Sequence, residues 1–247
     1  MIIKFNEFLN EGRFYNETLN PKFWDEDNKF NQRIRGKLLT IANDFFDSLK
    51  LDVEIKDIQL TGSLANYNYT DYSDFDTHII IDFKDVDKNV DLVKTAVDNL
   101  RINWNIKHDI TIKGYPVELY VQDITEQHTA SGLFSLMNNK WIKEPKYNKP
   151  EIDEDDVTLK SESYMKTIDK LEKLTNVSNL KMDDLDTYFN YAKKLKEKIH
   201  SGRKEGLKTK AAEFSIENLV FKELRNNGYF GKLIDMIDSL YDKQFVQ

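Results

Sequence analysis

Ile58-Gln59-Leu60-Thr61-Gly62-Ser63, followed beyond Leu64 to Ser73 by Asp74-Phe75-Asp76-Thr77-His78-Ile79-Ile80-Ile81, is the stretch whose reading decides the fold. It reads as a strand, a glycine turn, a short helical connection and a second strand that opens on two carboxylates. Strand side chains alternate between faces, so Asp74 and Asp76 point the same way, about 6.5 to 7 Å apart along the chain. Two carboxylates at that spacing suit shared divalent cations, which are hard and prefer oxygen ligands. Gly62 and Ser63 precede a polar connection. Backbone N–H groups there, together with the Ser63 hydroxyl, would receive phosphate oxygens. A phosphate cradle and a metal dyad would then lie side by side.

Gly-Ser at 62–63, a gap of about ten residues, and Asp-x-Asp at 74–76 entering an apolar strand resemble the signature of the DNA polymerase β-like nucleotidyltransferase superfamily. The resemblance runs from about Val53 to Val121. It implies an α+β fold, a mixed sheet flanked by helices. It also implies transfer of an NMP from an NTP to a hydroxyl acceptor, with release of pyrophosphate. Under it, Asp74 and Asp76 would hold Mg²⁺ or Mn²⁺, a further carboxylate would complete the metal set, and Gly62 and Ser63 would bind the β- and γ-phosphates. Thr77-His78 departs from the family, which usually continues with aliphatic residues. That leaves the fold intact and sets a polar ring close to the dyad. The plainer reading is a turn followed by an exposed acidic strand end, and a second alternative is a catalytically inactive member of the fold serving as a phage virion or host-interaction protein.

The candidate for the third carboxylate comes from a second alternating region. Ile110 to Val121 forms two runs around Gly114, the pattern of a hairpin. In the second run Val117, Leu119 and Val121 share one face, and Glu118 and Tyr120 share the other. Glu118 is therefore the expected third metal ligand, with Asp109 and Asp123 as fallback positions.

Composition narrows the function classes. The 247 residues carry 36 Lys and Arg against 43 Asp and Glu, a formal charge of −7, so the surface as a whole repels polyanions. There is no cysteine, which excludes a disulfide framework and a thiolate metal site. His78, His108, His128 and His200 are too scattered for a zinc pattern. No apolar run approaches the roughly 18 to 20 residues of a membrane helix. A soluble, cytoplasmic protein without a membrane partner is expected. P-loop, Rossmann, EF-hand and Ser-hydrolase signatures are all missing.

The rest of the chain organises around this core. Phe30 to Leu49 and Val90 to Leu100 have helical apolar spacing, and Asp52 to Thr61 reads as the first strand. Asp85 and Asp87 begin an acidic turn. Thr129 to Trp141 is expected to add a strand or hairpin, with Lys140, Trp141 and Lys143 at the edge of a nucleotide pocket or, for Trp141, in the core. Glu144 to Asp156 reads as a linker. The expected organisation is an N-terminal segment at 1–20, a catalytic domain at 21–148 and a C-terminal helical bundle at 157–247. In that bundle one helix spans Tyr164 to Leu174, another begins near Asp183, a third is capped by Ser215, and a last one covers Leu233 to Tyr241.

Between Lys193 and Lys210 lies a basic run in an otherwise acidic chain. Arg203, Lys204 and Lys208, around Gly202 and Gly206, are the candidates to grip a triphosphate or a polyanionic acceptor, against the plainer reading of a solvated helix face. The acceptor stays open among an RNA end, a second nucleotide, a cationic small molecule and a protein side chain. The N-terminus resembles those of tailed-phage proteins, and Leu9-Asn10-Glu11-Gly12 resembles a head-maturation cleavage site. Both imply packaging into a phage head with trimming after Glu11.

Overall fold

The computed structural model describes residues 14–127, 130–147, 150–176 and 181–245. The Leu9–Gly12 sequence and Thr129 lie outside them. Contacts divide the chain into two compact units, Met1–Lys149 and Pro150–Gln247.

The first unit comprises α1 (Gln32–Ser48), β1 (Asp57–Thr61), β2 (Phe75–Ile81), α2 (Phe83–Val86), α3 (Val90–Lys107), β3 (Thr111–Ile112), β4 (Tyr115–Asp123), β5 (Leu133–Ser135) and β6 (Lys140–Lys143). The strands form one open mixed sheet in the order β3-β4-β2-β1-β5-β6, so the unit is α+β. β2 and β4 run parallel, and the other neighbours are antiparallel.

The period-2 alternation of the sequence sorts the two faces of this sheet. Ile58, Leu60, Phe75, Ile79, Leu119 and Phe134 share one face and are buried. Helix α1, which contacts β2 and β4, supplies Ile34, Leu38, Ala42 and Phe45 to the core. Thr61, Gln59, Asp76, His78, Glu118, Tyr120 and Gln122 share the opposite, polar face.

Several boundaries differ from the sequence expectation, each for a local reason. β1 starts at Asp57: the register Asp57↔Ile80 sets Lys56 against the last residue of β2, Ile81, and carries residues 52–55 past its end. The acidic turn after β2 is a helical turn, α2, in which Asp82 accepts from the Lys84 N–H at 2.9 Å. The acidic half of the expected linker is the start of a helix. Asp153 accepts from the Asp156 N–H at 2.9 Å, and Glu154, Asp155 and Asp156 form the first turn, where negative charge opposes the positive end of the helix dipole.

The boundary expected at residue 20 is not visible in the packing. Phe14, Leu19 and Asn20 are buried, and the side-chain amide of Asn16 donates to the carbonyls of Tyr67 and Tyr69 at 3.0 and 2.8 Å. Trp141 belongs to an aromatic cluster rather than a pocket rim: it stacks on Trp24 with ring centroids 4.5 Å apart and meets Phe134 edge-on.

The second unit is helical: α4 (Glu154–Thr175), α5 (Met182–Gly206), α6 (Ile216–Asn226) and α7 (Tyr229–Lys243). Ile168, Leu171, Leu195, Ile199, Leu219, Leu224 and Leu233 form its core. Ser215 caps α6, and Gly228, at φ 75°, makes the left-handed turn into α7. Among the described residues no helix is long and apolar enough to cross a membrane.

One edge of the sheet is completed by a side chain. β3 pairs with β4 only at Pro116 and Tyr115, which leaves the outer edge of β4 open further along. There the Asn105 amide of α3 donates to the Leu119 carbonyl at 3.2 Å and accepts from the Leu119 N–H at 3.3 Å. It stands in for a strand. Asn105→Ala leaves both backbone groups without this partner and is expected to lower unfolding free energy by about 1 to 3 kcal/mol. Urea denaturation checks this; a midpoint equal to that of the unsubstituted protein would show that the amide contributes nothing.

Candidate metal centre

Three chain segments converge at one end of the polar face. β1 is antiparallel to β2 with Thr61 opposite Asp76, so the turn at Gly62-Ser63 emerges beside the start of β2. β4 is parallel to β2 with Glu118 opposite Asp76. Asp74, just before β2, is buried. One carboxylate oxygen each from Asp74, Asp76 and Glu118 lie within 4.8 Å of one another, a cluster able to hold a metal ion. Glu118, rather than Asp109 or Asp123, is the acid that joins the pair. Asp109 is exposed ahead of β3. Asp123 stands opposite Ile81 at the far end of β4 and accepts from the Phe83 N–H at 2.7 Å and the Thr125 N–H at 2.8 Å. Burial pushes its carboxyl up, but these bonds and one from the Thr125 hydroxyl outweigh it and hold the group below the usual range.

Three carboxylates this close together repel one another when ionised. Two unit charges about 5 Å apart repel by roughly 3 kcal/mol at an effective dielectric of about 20. Three carboxylates contribute three such pairs, which a divalent cation turns into attraction.

Gly62 fits the same centre sterically. Its backbone sits at φ 74°, ψ −160°, a region essentially restricted to glycine. A Cβ there would lie 1.8 Å from Oδ2 of Asp76. The absent side chain is what lets the turn close on the carboxylate.

Ser63 opens a 3-10 turn, Ser63–Ala65. Its hydroxyl is engaged within the loop: it donates to Ser73 Oγ at 2.7 Å, and the same Oγ accepts from the Thr70 N–H at 2.9 Å. The Trp24 indole N–H donates to the Leu64 carbonyl at 2.8 Å. Gly132, whose Cβ would lie 1.8 Å from the Ala65 carbonyl oxygen, lets the loop before β5 press against the turn. Ser73, Trp24, Asn16 and Gly132 thus shape the site without having carried a signal in the sequence, because each acts through a partner distant along the chain or through backbone atoms.

His78, two residues beyond Asp76 on the same face, stacks on Tyr120 with centroids 4.7 Å apart and planes 16° apart. Thr77 turns the other way and is fully buried. Tyr120 donates to Oε2 of Glu118 at 2.6 Å. Burial pushes the Tyr120 hydroxyl far above the ordinary phenol value, and the charges of Asp76 and Glu118 push it further the same way. It stays a neutral donor. The alternation rule had placed it beside Glu118, and that was the signal that could have found it.

The basic candidates lie in the second unit. Arg203 donates from Nε to Asn218 Oδ1 at 3.2 Å, and its guanidinium lies 4.3 Å from the centre of the Phe221 ring. Lys208 pairs with Glu205 at 2.7 Å, and Lys204 is exposed. The run is less freely cationic than its residue count suggests.

The chain matches no protein-family model, no curated protein and no solved structure.

Substituting Gly62 tests the close approach. Gly62→Ala is expected to cost on the order of 1 to 3 kcal/mol of stability from backbone strain alone, and to displace Asp76 so that Mn²⁺ binding weakens. Thermal melting and calorimetric Mn²⁺ titration read the two effects; unchanged values in both would refute the packing of Gly62 on Asp76.

Proposed function

We propose that this protein is a metal-dependent nucleotidyltransferase, moving an NMP from an NTP to a hydroxyl acceptor and releasing pyrophosphate. The observation that carries the reading is the gathering of Asp74, Asp76 and Glu118 within 4.8 Å, directly beside a turn where Gly62 admits no side chain. An accidental acidic strand end has no need of a third carboxylate from a different strand in matching register, nor of a glycine vacated against one of its oxygens.

Asp74, Asp76 and Glu118 would hold Mg²⁺ or Mn²⁺. Such ions, when bound, neutralise phosphate charge and lower the pKa of a ligated hydroxyl. The residues of the chain supply position: the parallel strands fix Asp76 and Glu118, and the glycine turn lies directly against Asp76, so little reorganisation would be required at the moment of reaction. Ser63 would exchange its bond to Ser73 for one to a phosphate oxygen.

The deciding experiment incubates the protein with each α-labelled NTP, Mg²⁺ or Mn²⁺, and RNA or cell lysate, and follows the label. Transfer is expected, and chelation should abolish it. Asp76→Asn keeps the shape of the side chain but removes one charge from the cluster. Turnover should fall by at least about 10² to 10³-fold, as it does when a single preorganised electrostatic contact is lost. Thermal stability without metal should hold or rise, since two of the three repulsive pairs are gone. Label transfer by Asp76→Asn at the unsubstituted rate, or failure of the unsubstituted protein to bind NTP with Mg²⁺ at millimolar concentration, defeats the proposal.

A further inference from the structure

Tyr120 is held more tightly than a strand residue on a polar face requires. β2 lies on one side of β4, and from it His78 stacks on the Tyr120 ring at 4.7 Å. α3 lies against the other side of β4, where Asn105 bonds the backbone of Leu119. From α3 the Arg101 guanidinium carbon comes within 4.6 Å of the ring centre. His78 is fixed in turn: its Nδ1 is 2.7 Å from Oε1 of Gln122, whose amide donates to the Glu126 carbonyl at 3.2 Å. The only polar atom of the Tyr120 side chain is thereby aimed at Oε2 of Glu118, 2.6 Å away.

Glu118 needs such a partner more than the aspartates do. A glutamate has three side-chain torsions and loses more rotamer freedom when it is fixed. Asp74 is buried, while Asp76 and Glu118 are both half-buried. A hydrogen bond to one carboxylate oxygen, from a ring that cannot turn away, settles the orientation of the group before any cation arrives.

We propose that Tyr120 is a positioning residue for the metal centre: its hydroxyl, steadied by His78 and Arg101, fixes the Glu118 carboxylate toward Asp74 and Asp76 and so sets the cation affinity of the cluster. This rests on the metal reading above. Groups that orient metal ligands in this way typically change affinity by 10 to 100-fold when removed. A tyrosine that merely packs against the sheet through its ring would leave cation affinity unchanged when its hydroxyl alone is removed.

Tyr120→Phe separates the two, because it keeps the ring, the stack and the guanidinium contact and deletes only the hydroxyl. The probe is Mn²⁺, with free ion followed by electron paramagnetic resonance, on the full-length protein, its Tyr120→Phe variant and its Glu118→Gln variant. The expected result is Mn²⁺ affinity about 10 to 100-fold weaker in Tyr120→Phe, with metal-free melting unchanged. Affinity equal to or tighter than that of the unsubstituted protein, while Glu118→Gln is weakened, overturns the role of Tyr120 and leaves the metal centre standing. If the unsubstituted protein binds no Mn²⁺, the metal reading fails and this inference fails with it.

Discussion

The parallel pairing of β2 with β4 is the constraint on which the candidate site depends. Parallel strands begin at the same end of a sheet, so Asp76 near the start of β2 and Glu118 near the start of β4 arrive side by side. The antiparallel neighbour β1 finishes at that same end, and Gly62 follows its last residue directly. Three segments, 14 positions apart from Gly62 to Asp76 and 42 from Asp76 to Glu118, thus meet without any loop having to reach for another. A slip of one residue between β2 and β4 would send Glu118 and Tyr120 to the apolar face, where Leu119 now packs fully buried. The hydrophobic core therefore enforces the register of the carboxylates: misplacing the acids also means exposing Leu119 and Val117 and burying charge.

Around this register the chain builds a rigid surround from short-range polar bonds and aromatic packing. The loop joining β1 to β2 is fastened across its base by Ser63 and Ser73. Trp24 and Asn16 fasten it from outside, and the Tyr115 hydroxyl donates to Asp71 at 3.2 Å. Connecting loops usually carry the mobile part of a site. Here the connection is anchored at several points, and Asn66, Asn68 and Ser73 within it are buried.

Much of this was legible in the sequence, and the part that was not has a common cause. Asp76 and Glu118 could be set on one strand face, and Gly62 in a turn, because strand alternation and a glycine turn are local patterns that survive in one dimension. The helices of the second unit were found from apolar spacing and from Ser215 as a cap. The start of α4 was missed because the acidic residues that favour a helix N-terminus also resemble a solvated linker, and only the bond from the Asp156 N–H to Asp153 distinguishes them. The anchoring role of residues 14–24 was missed because it consists of contacts to partners some 40 to 53 positions away. The basic run was legible as charge but not as environment, since the packing of Arg203 on Phe221 belongs to the tertiary structure.

The Asn105 bonds to Leu119 bear on assembly as well as on folding. An open sheet offers a template at each rim, and natural proteins blunt such rims against strand addition by other molecules. On the β4 side the template position at Leu119 is filled by a side-chain amide rather than by another strand. On the opposite side, the last strand is only four residues long and has Lys140 and Lys143 at its ends. Intermolecular sheet growth would have to evict the amide at one rim or bring lysines of two copies together at the other. Blunted at both rims, the sheet keeps its carboxylates on a face rather than at an edge where a second chain could add.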